Sequence, residues 1–462
     1  MTATDFFSEL VASQKSGEPW GICSVCSAHV TVLEAAFLEG MRTGAPVLIE
    51  STANQVNQLG GYTGITPSVF SATVRQIAEA SGFPVDRLLL GGDHLGPWPW
   101  RAEPAESAMA KARELVRACV RAGYQKIHLD ASMPLGGDRA SGRGALDPAV
   151  AAAREAELAA AAEEAREAGG VHDSPVYVIG TEVPVPGGVT ASHGKPVPRG
   201  VSSAAPRGVS SVAGGALGAP GVTDPAELQE TVALCREAFR ARGLPEAWSR
   251  VRGVVAQPGV EFGDDQIHGY RREAAAALCA AARGLPGIVL EGHSTDYQSR
   301  QALRELVEDG VAILKVGPAL TFALRECVFG LEAVERELLS TGRGRRGARL
   351  SGLSTELERA MLRNPAHWKA YYGGDAAQAR LARRFSFSDR SRYYWTVPSV
   401  KDAVKTLVSN LEASGIPLTL VSQYLAGAYP AVREGRVAPR PPDLMRESVR
   451  LVLQEYSRAT ES

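Results

Sequence analysis

The feature that most constrains this chain is a set of short apolar runs across its first two thirds that stop at side chains able to do chemistry. PVLIE stops at Glu50, RLLLGGDH at Asp93 and His94, YQKIHLD at Asp130, PVYVIGTE at Glu182, RVRGVVAQP at Gln257, PGIVLEGH at Glu291 and His293, and VAILK at Lys315. WGICSV, residues 20–25, is the first run. A parallel strand buried on both faces reads as a continuous apolar run, and a polar residue just past its end sits where a closed barrel opens to solvent. Between the runs lie segments with helical spacing, expected at residues 27–41, 67–81, 106–121, 147–168, 224–242, 265–283, 296–309 and 320–340. Asp147-Pro148, Asp224-Pro225 and Thr66-Pro67 suit an N-cap followed by a ring, and Gly44, Gly82, Gly123, Gly243 and Gly310 suit left-handed helix stops. Strict alternation of eight strands with eight helices predicts an α/β fold, a (β/α)8 barrel over residues 1–341, with an enzyme's chemistry at its mouth.

After that point the alternation ends. Residues 342–462 read as a mainly helical C-terminal extension packed on the barrel, with a loop around residues 385–397. Residues 187–222 are so rich in Gly, Pro, Ser and Ala that they cannot bury a core; a cover over the barrel mouth and a disordered insertion are both open readings. A formal net charge of -1 over 462 residues gives no electrostatic basis for binding nucleic acid or a membrane surface. No apolar run reaches spanning length, and MTATDFFSEL lacks the basic-then-apolar signature of a signal peptide, so a cytoplasmic location is expected. The six cysteines are sparse. Cys23-X-X-Cys26 with His29 has no second cysteine pair to complete a zinc site and is read as packing.

The chemistry is expected at the strand ends. Gly92-Asp93-His94 sets a carboxylate beside an imidazole, one able to move a proton and the other to bind a divalent metal. Glu291-Gly292-His293-Ser294-Thr295 repeats the theme and adds hydroxyl and backbone donors at an expected helix start, an anion site. Lys315-Val316-Gly317-Pro318 supplies a cation and a glycine beside it; the plainer alternative is a pair of helix caps and a structural lysine. Glu182 is read as a catalytic carboxylate, or as an anchor for the loop after it. Glu261, in QPGVEFG, is a candidate metal ligand or a solvated loop glutamate. His128 lies two residues before Asp130 and so faces the same way, deeper in the barrel, as a hydrogen-bonded core histidine.

GICSVCSAH, LIESTANQVNQLGGYTG, GGDHLGP, KIHLDAS, YVIGTEVPVPGG, VAQPGVEF, HSTDYQ, AILKVGPALTFALRE, SFSDRSRYYW and SQYL together resemble the GatZ/KbaZ family, from about residue 14 to 455. That resemblance implies the so-called non-catalytic subunit of class II tagatose-bisphosphate aldolase, some of whose relatives are 4-epimerases of tagatose or its 6-phosphate. More distantly the same stretches resemble the class II aldolases, metal-dependent barrels in which an Asp-His pair gives the proton-transfer acid and a metal-binding histidine. Asp93-His94 matches that pair, and Asp130-Ala131-Ser132 matches the Asp-Gly/Ala-Ser segment that follows. The sixth-strand His-Gly element is replaced here by Gln-Pro-Gly-Val-Glu-Phe-Gly, and the seventh reads Glu291-Gly292-His293-Ser294. The candidate set is then His94, Glu261, Glu291 and His293 for a divalent metal, with carboxylate-rich ligands fitting Mn or Mg as well as Zn. Asp93, Glu182 and Asp130 are the candidate catalytic carboxylates. Ser294, Thr295, Lys315, Gly317, Gln257 and Glu50 are the candidate contacts to substrate or its phosphate.

Carbon 4 of a ketohexose is one bond too far from the C2 carbonyl for its hydrogen to be acidic. Inversion there needs either a nicotinamide or cleavage and re-formation of the C3–C4 bond, and no Gly-X-Gly-X-X-Gly fingerprint follows a strand here. Three readings follow: a metal-dependent 4-epimerase of tagatose and fructose or their 6-phosphates; a stabilising subunit for a separate catalytic aldolase; and another ketose or ketouronate epimerase working by enolisation between carboxylates such as Glu182 and Glu291. A homo-oligomer is expected, with a ketohexose or its phosphate as ligand.

Overall fold

The structure, a computed structural model, describes residues 2–138, 146–169, 174–180, 220–343 and 347–461. Eight strands, β1 (Ile22–Cys26), β2 (Val47–Thr52), β3 (Leu88–Leu95), β4 (Lys126–Leu129), β5 (Val176–Ile179), β6 (Val251–Ala256), β7 (Val289–Gly292) and β8 (Val311–Val316), form a closed parallel barrel. The ring shuts where Ile22 of β1 stands opposite Ile313 of β8. All eight apolar runs are strands of this barrel. Every residue of β3, β4, β5, β7 and β8 is buried, because outer helices cover one face and interdigitating side chains fill the other.

One helix had no counterpart in the sequence reading. Ala3–Ser16 starts on a Thr2/Asp5 capping box and buries Phe6, Phe7, Leu10 and Val11 against Ile22, Leu48, Leu89, Val176 and Val289, residues at the beginnings of their strands. It therefore plugs the barrel end opposite the mouth, each aromatic side chain contributing about 1.5–3 kcal/mol of apolar burial.

The outer helices run Val30–Thr43, Pro67–Ala80, Ala105–Arg121, Pro148–Gly169, Pro225–Ala241, Arg272–Arg283, Arg300–Glu308 and Pro318–Ser340. Two begin four or more residues later than expected. The helix expected from residue 265 starts at Arg272, because Glu261–Phe262 and Ile267–His268 pair as a small antiparallel ladder around a turn closed by Gly263 N–H on the Gln266 carbonyl. The helix expected from residue 296 starts at Arg300 with Ser299 as its cap. Asp296 instead accepts the backbone N–H groups of Gly317 (3.0 Å) and Ala319 (2.8 Å), so it serves the start of a different helix.

Beyond the barrel come helices Leu353–Arg363, Ala376–Phe385, Pro398–Ser414, Leu418–Tyr424, Tyr429–Arg433 and Pro441–Thr460. The last returns to the barrel wall. Arg450 pairs with Glu39 (2.9 Å) and Arg446 with Glu34 (3.2 Å) on the helix after β1. Arg300, on the helix after β7, pairs with Glu455 (2.7 Å), and Thr460 accepts the N–H of Gly21. Leu444, Val449, Leu453 and Tyr456 join the main buried cluster. Among the described residues no helix is long and apolar enough to cross a membrane.

Candidate active site

The mouth is built first by glycines. A Cβ on Gly91 would lie 2.7 Å from Glu50 Oε1, and one on Gly96 would lie 1.7 Å from the Asp130 carbonyl, so β3 can approach its neighbours only without side chains there. Between them the register of β3 against β4 slips from Gly92 to Leu95. This irregularity re-aims Asp93 and His94, and His94 takes a left-handed φ of 49°. Ser294, beyond β7, does the same at φ 54°. Two strained non-glycine residues, at the mouth ends of β3 and β7 on opposite sides of the ring, mark a place where geometry is held against local preference.

Beneath them lies a buried charge cluster. Lys126 Nζ touches Glu50 Oε1 (2.6 Å) and Glu291 Oε2 (2.7 Å). Lys315 Nζ touches Glu50, Asp93 Oδ1 (2.9 Å) and Glu291 Oε1 (3.2 Å), and Ser24 Oγ donates to Glu50 at 2.6 Å. Burial opposes the charge on Lys315, yet Asp93, Cys26, Glu291 and Glu50 outweigh it and push its pKa well above the ordinary value. Burial likewise works to raise Asp93, but the charges of His94 and Lys315 and the His128 hydrogen bond hold its carboxyl well below the ordinary range. Lys315 and Glu50 are thus locked in ion pairs, with Glu50 wholly buried.

Three imidazoles stand over this cluster, with ring centroids 4.9 Å (His94–His293), 5.1 Å (His94–His128) and 5.2 Å (His128–His293) apart. His128 Nδ1 lies 2.9 Å from Asp93 Oδ1, and its Nε2 is buried with no hydrogen-bond partner among the described residues. His293 Nε2 lies 3.1 Å from Glu291 Oε1. One donor atom each from Asp93, His128, Glu291 and His293 falls within 4.8 Å of all the others, a set that could hold a metal ion. His128 is hydrogen-bonded and buried as its phase on β4 implied, and it also faces that donor set. His94 is arranged differently: its Nδ1 meets Asp130 Oδ2 at 2.7 Å, while Ser132 N–H and Oγ fix the other Asp130 oxygen. Burial would raise Asp130, but the His94 hydrogen bond and charge prevail and keep it at about 2.

Glu261 sits at the start of the small ladder, buried, accepting the Phe262 N–H at 3.0 Å. Burial, only partly offset by that N–H and by Ser294, pushes its carboxyl up from an ordinary 4.5 to about 7. A folded pKa above the unfolded one means the native state keeps a proton the unfolded chain has lost. Stability from this group is full below about pH 4.5 and declines by up to about 1.4 kcal/mol per pH unit until about pH 7. Unfolding free energies of the wild type minus those of Glu261→Gln, measured between about pH 5 and pH 8, are expected to trace that decline; a flat difference refutes the raised pKa.

A cavity of about 290 Å³ opens above the imidazoles, walled by Asp93, His94, His293, Ser294, Lys315 and Gly317 and, across from them, by Arg392, Tyr393 and Trp395. Thr295 is not on that wall: it is fully buried, its hydroxyl donating to the Lys315 carbonyl at 2.6 Å. The helix start expected to make an anion site of Ser294 and Thr295 lies further on, at Arg300, so those backbone donors are not assembled there. Gln257 turns its Oε1 to the N–H groups of Gly259 and Val260. Glu182 and most of the loop at residues 187–222 lie outside the described residues. Cys23 and Cys26 are free thiols; Cys26 faces Asp93 and Glu50 at 3.7 and 3.8 Å. The contribution of Arg392, Tyr393 and Trp395 was not assigned from sequence. The density of Arg and Tyr in SFSDRSRYYW, inside an otherwise ordinary helical region, is a signal that went unread for these side chains, though it says nothing of which strand end they face.

Residues 7–461 match the family described as D-tagatose-1,6-bisphosphate aldolase subunit GatZ/KbaZ-like. This chain belongs to that family. It is 45% identical over 449 residues to the D-tagatose-1,6-bisphosphate aldolase subunit GatZ of Salmonella typhimurium, covering 97% of each chain. It is 44% identical over 457 residues to the D-tagatose 6-phosphate 4-epimerase of Agrobacterium fabrum, covering 99% of each. Among solved structures, a probable tagatose 6 phosphate kinase from Sinorhizobium meliloti 1021 shares 46% identity at a TM-score of 0.81, over 95% of this chain and 100% of that one. The full-length matches place the C-terminal helices, and with them Arg392, inside the family fold.

Proposed function

We propose that this chain is a divalent-metal-dependent 4-epimerase that interconverts tagatose and fructose, or their 6-phosphates, by cleaving and remaking the C3–C4 bond. The observation that carries the reading is the meeting, at one barrel mouth, of a four-residue donor set (Asp93, His128, Glu291, His293) with a separate His94–Asp130 pair. The relative named as a tagatose 6-phosphate 4-epimerase supports the substrate class. The Nε2 of buried His128, with no hydrogen-bond partner among the described residues, fits a metal ligand, since Nδ1 is already occupied by Asp93 and by the His94 backbone N–H. Bound there, a divalent metal supplies Lewis-acid polarisation of the ketose carbonyl.

The chain's own residues then divide the remaining work. His94, held by Asp130, takes the C4 hydroxyl proton as the C3–C4 bond breaks, leaving an aldehyde and a three-carbon enediolate. Lys315 and Lys126 balance the carboxylates beneath, so negative charge developing above them is not met by an uncompensated anionic floor. After the aldehyde turns over its other face, the same proton returns to the C4 oxygen and the epimer forms. The sequence reading gave Asp93 the proton and His94 the metal; the donor set, which takes in Asp93 and leaves out His94, supports the reverse division.

The test is the purified chain alone, with a divalent metal and fructose 6-phosphate in heavy water. Tagatose 6-phosphate carrying no deuterium at C4 is the expected product, because the C4–H bond never breaks. Inversion at C3 with obligatory deuterium there would transfer the reading to an enolising epimerase. A second reading, a subunit acting with a separate catalytic aldolase, draws on the relatives named as aldolase subunits; it requires that the chain alone turn over no ketose.

A further inference from the structure

Of the cations on the cavity wall, Lys315 is already engaged by three carboxylates. Arg392 is not so engaged. Its hydrogen bonds go to the carbonyls of Ser388 and Asp389 (3.0 Å for the latter) and to Tyr393 Oη (3.1 Å), none of them a carboxylate. Lys401, exposed on the first turn of the helix Pro398–Ser414, lines the same cavity.

The support under Arg392 is stiff. Asp389, in a left-handed conformation at φ 40°, accepts from Arg325 Nε (2.7 Å), Thr321 Oγ1 (2.6 Å) and Ser391 Oγ (2.8 Å), which rivets the segment to the helix that follows β8. Tyr393 stacks on His367 (4.7 Å, 9°) and meets Tyr62 edge-on at 4.5 Å, while the Arg392 guanidinium lies 4.6 Å above the Tyr393 ring. Among the described residues no carboxylate is hydrogen-bonded to this clamped guanidinium, which leaves it prepared for an anion brought by the ligand. Asp296, a carboxylate on the same cavity wall, turns Oδ1 to the Gly317 and Ala319 N–H groups.

We propose that Arg392, assisted by Lys401, binds the terminal phosphate of a ketohexose 6-phosphate, with the reacting carbons at the imidazole end of the cavity. This rests on the epimerase reading for the identity of the sugar, though not for the anion site. It also moves the phosphate away from Thr295 and Lys315, which are otherwise engaged.

The experiment is titration calorimetry of the metal-loaded full chain with fructose 6-phosphate, fructose and a ketouronate such as fructuronate, in wild type, Arg392→Met, Arg392→Lys and Lys401→Met. Arg392→Met is expected to lower the ratio of fructose 6-phosphate to fructose affinity by about 100-fold, two charge-assisted hydrogen bonds being lost. Arg392→Lys, which keeps the charge and loses the fork, and Lys401→Met are each expected to lower it by about 10-fold. An unchanged ratio in Arg392→Met, or equal loss for both sugars, overturns the proposal. So does a ratio that falls for the ketouronate alone, or a wild type that does not bind fructose 6-phosphate. If Arg392→Met does not fold, the other two variants decide. Binding that follows this pattern in a chain with no turnover would sink the epimerase reading and leave the anion site standing.

Discussion

His293→Ala and His128→Ala are expected to lose bound divalent metal and turnover together, by roughly three orders of magnitude or more, since several kcal/mol of charge stabilisation leaves with the ion. His94→Gln is expected to keep the metal and still lose turnover by roughly 10²–10⁴-fold, the usual range for removing a positioned acid–base group. The contrast follows from geometry. His128 and His293 present donor atoms to Asp93 and Glu291 within one small sphere, a set that leaves out His94, whose Nδ1 meets Asp130. Metal content measured by mass spectrometry after dialysis, beside turnover of the same samples, reads both quantities. Loss of metal in His94→Gln would return His94 to the ligand set; full metal and full turnover in His293→Ala would end the site assignment.

Lys315→Met is expected to destabilise the fold by about 3–5 kcal/mol, the penalty for leaving buried charges without their partner. Three carboxylates share that ammonium, and the remaining Lys126 touches only Glu50 and Glu291. The pH dependence carries the sign. Asp93 and Glu291 are held well below their ordinary pKa values in the folded state, so their stabilisation is present above the unfolded values near 4 and is lost as pH falls through the depressed folded ones. Without Lys315 the folded values rise, and acid unfolding should begin at higher pH. Denaturant unfolding in the presence of a chelator, repeated down the pH scale, measures both effects. A variant as stable and as acid-resistant as the wild type would show that the ammonium is a bystander.

Much of the barrel was legible because burial on both faces leaves no other pattern for its strands: VAILK and PVLIE could be little else between helical segments. Their terminal polar residues were legible for the complementary reason, that a strand end is where the packed interior stops. What failed was local grammar with more than one meaning. Asp296 carries the signature of an N-cap and does cap, but it caps the helix at Pro318, reached only because β7 and β8 lie side by side. Asp265 looked like a helix start because the ladder beside it is only two residues long on each side. His128 was placed on the correct face by period-two phase, while its approach to Asp93 depends on the slipped register of β3, which no periodicity records. Arg392 reaches the cavity from a segment far along the chain, where proximity to Lys315 has no sequence signal.

The helix Pro441–Thr460 lies between the helices that follow β1 and β7, and its Thr460 carbonyl holds the N–H of Gly21 just ahead of the first strand. Protein synthesis runs in one direction, so that seam stays open while everything between is being made. Until residue 460 clears the ribosome, the flank of the helix Val30–Thr43 has no cover and the ring can close its hydrogen bonds without closing its wall. Such a chain depends on what shields an apolar flank during translation, and the time it spends exposed is set by the distance between the two sides of the seam along the message.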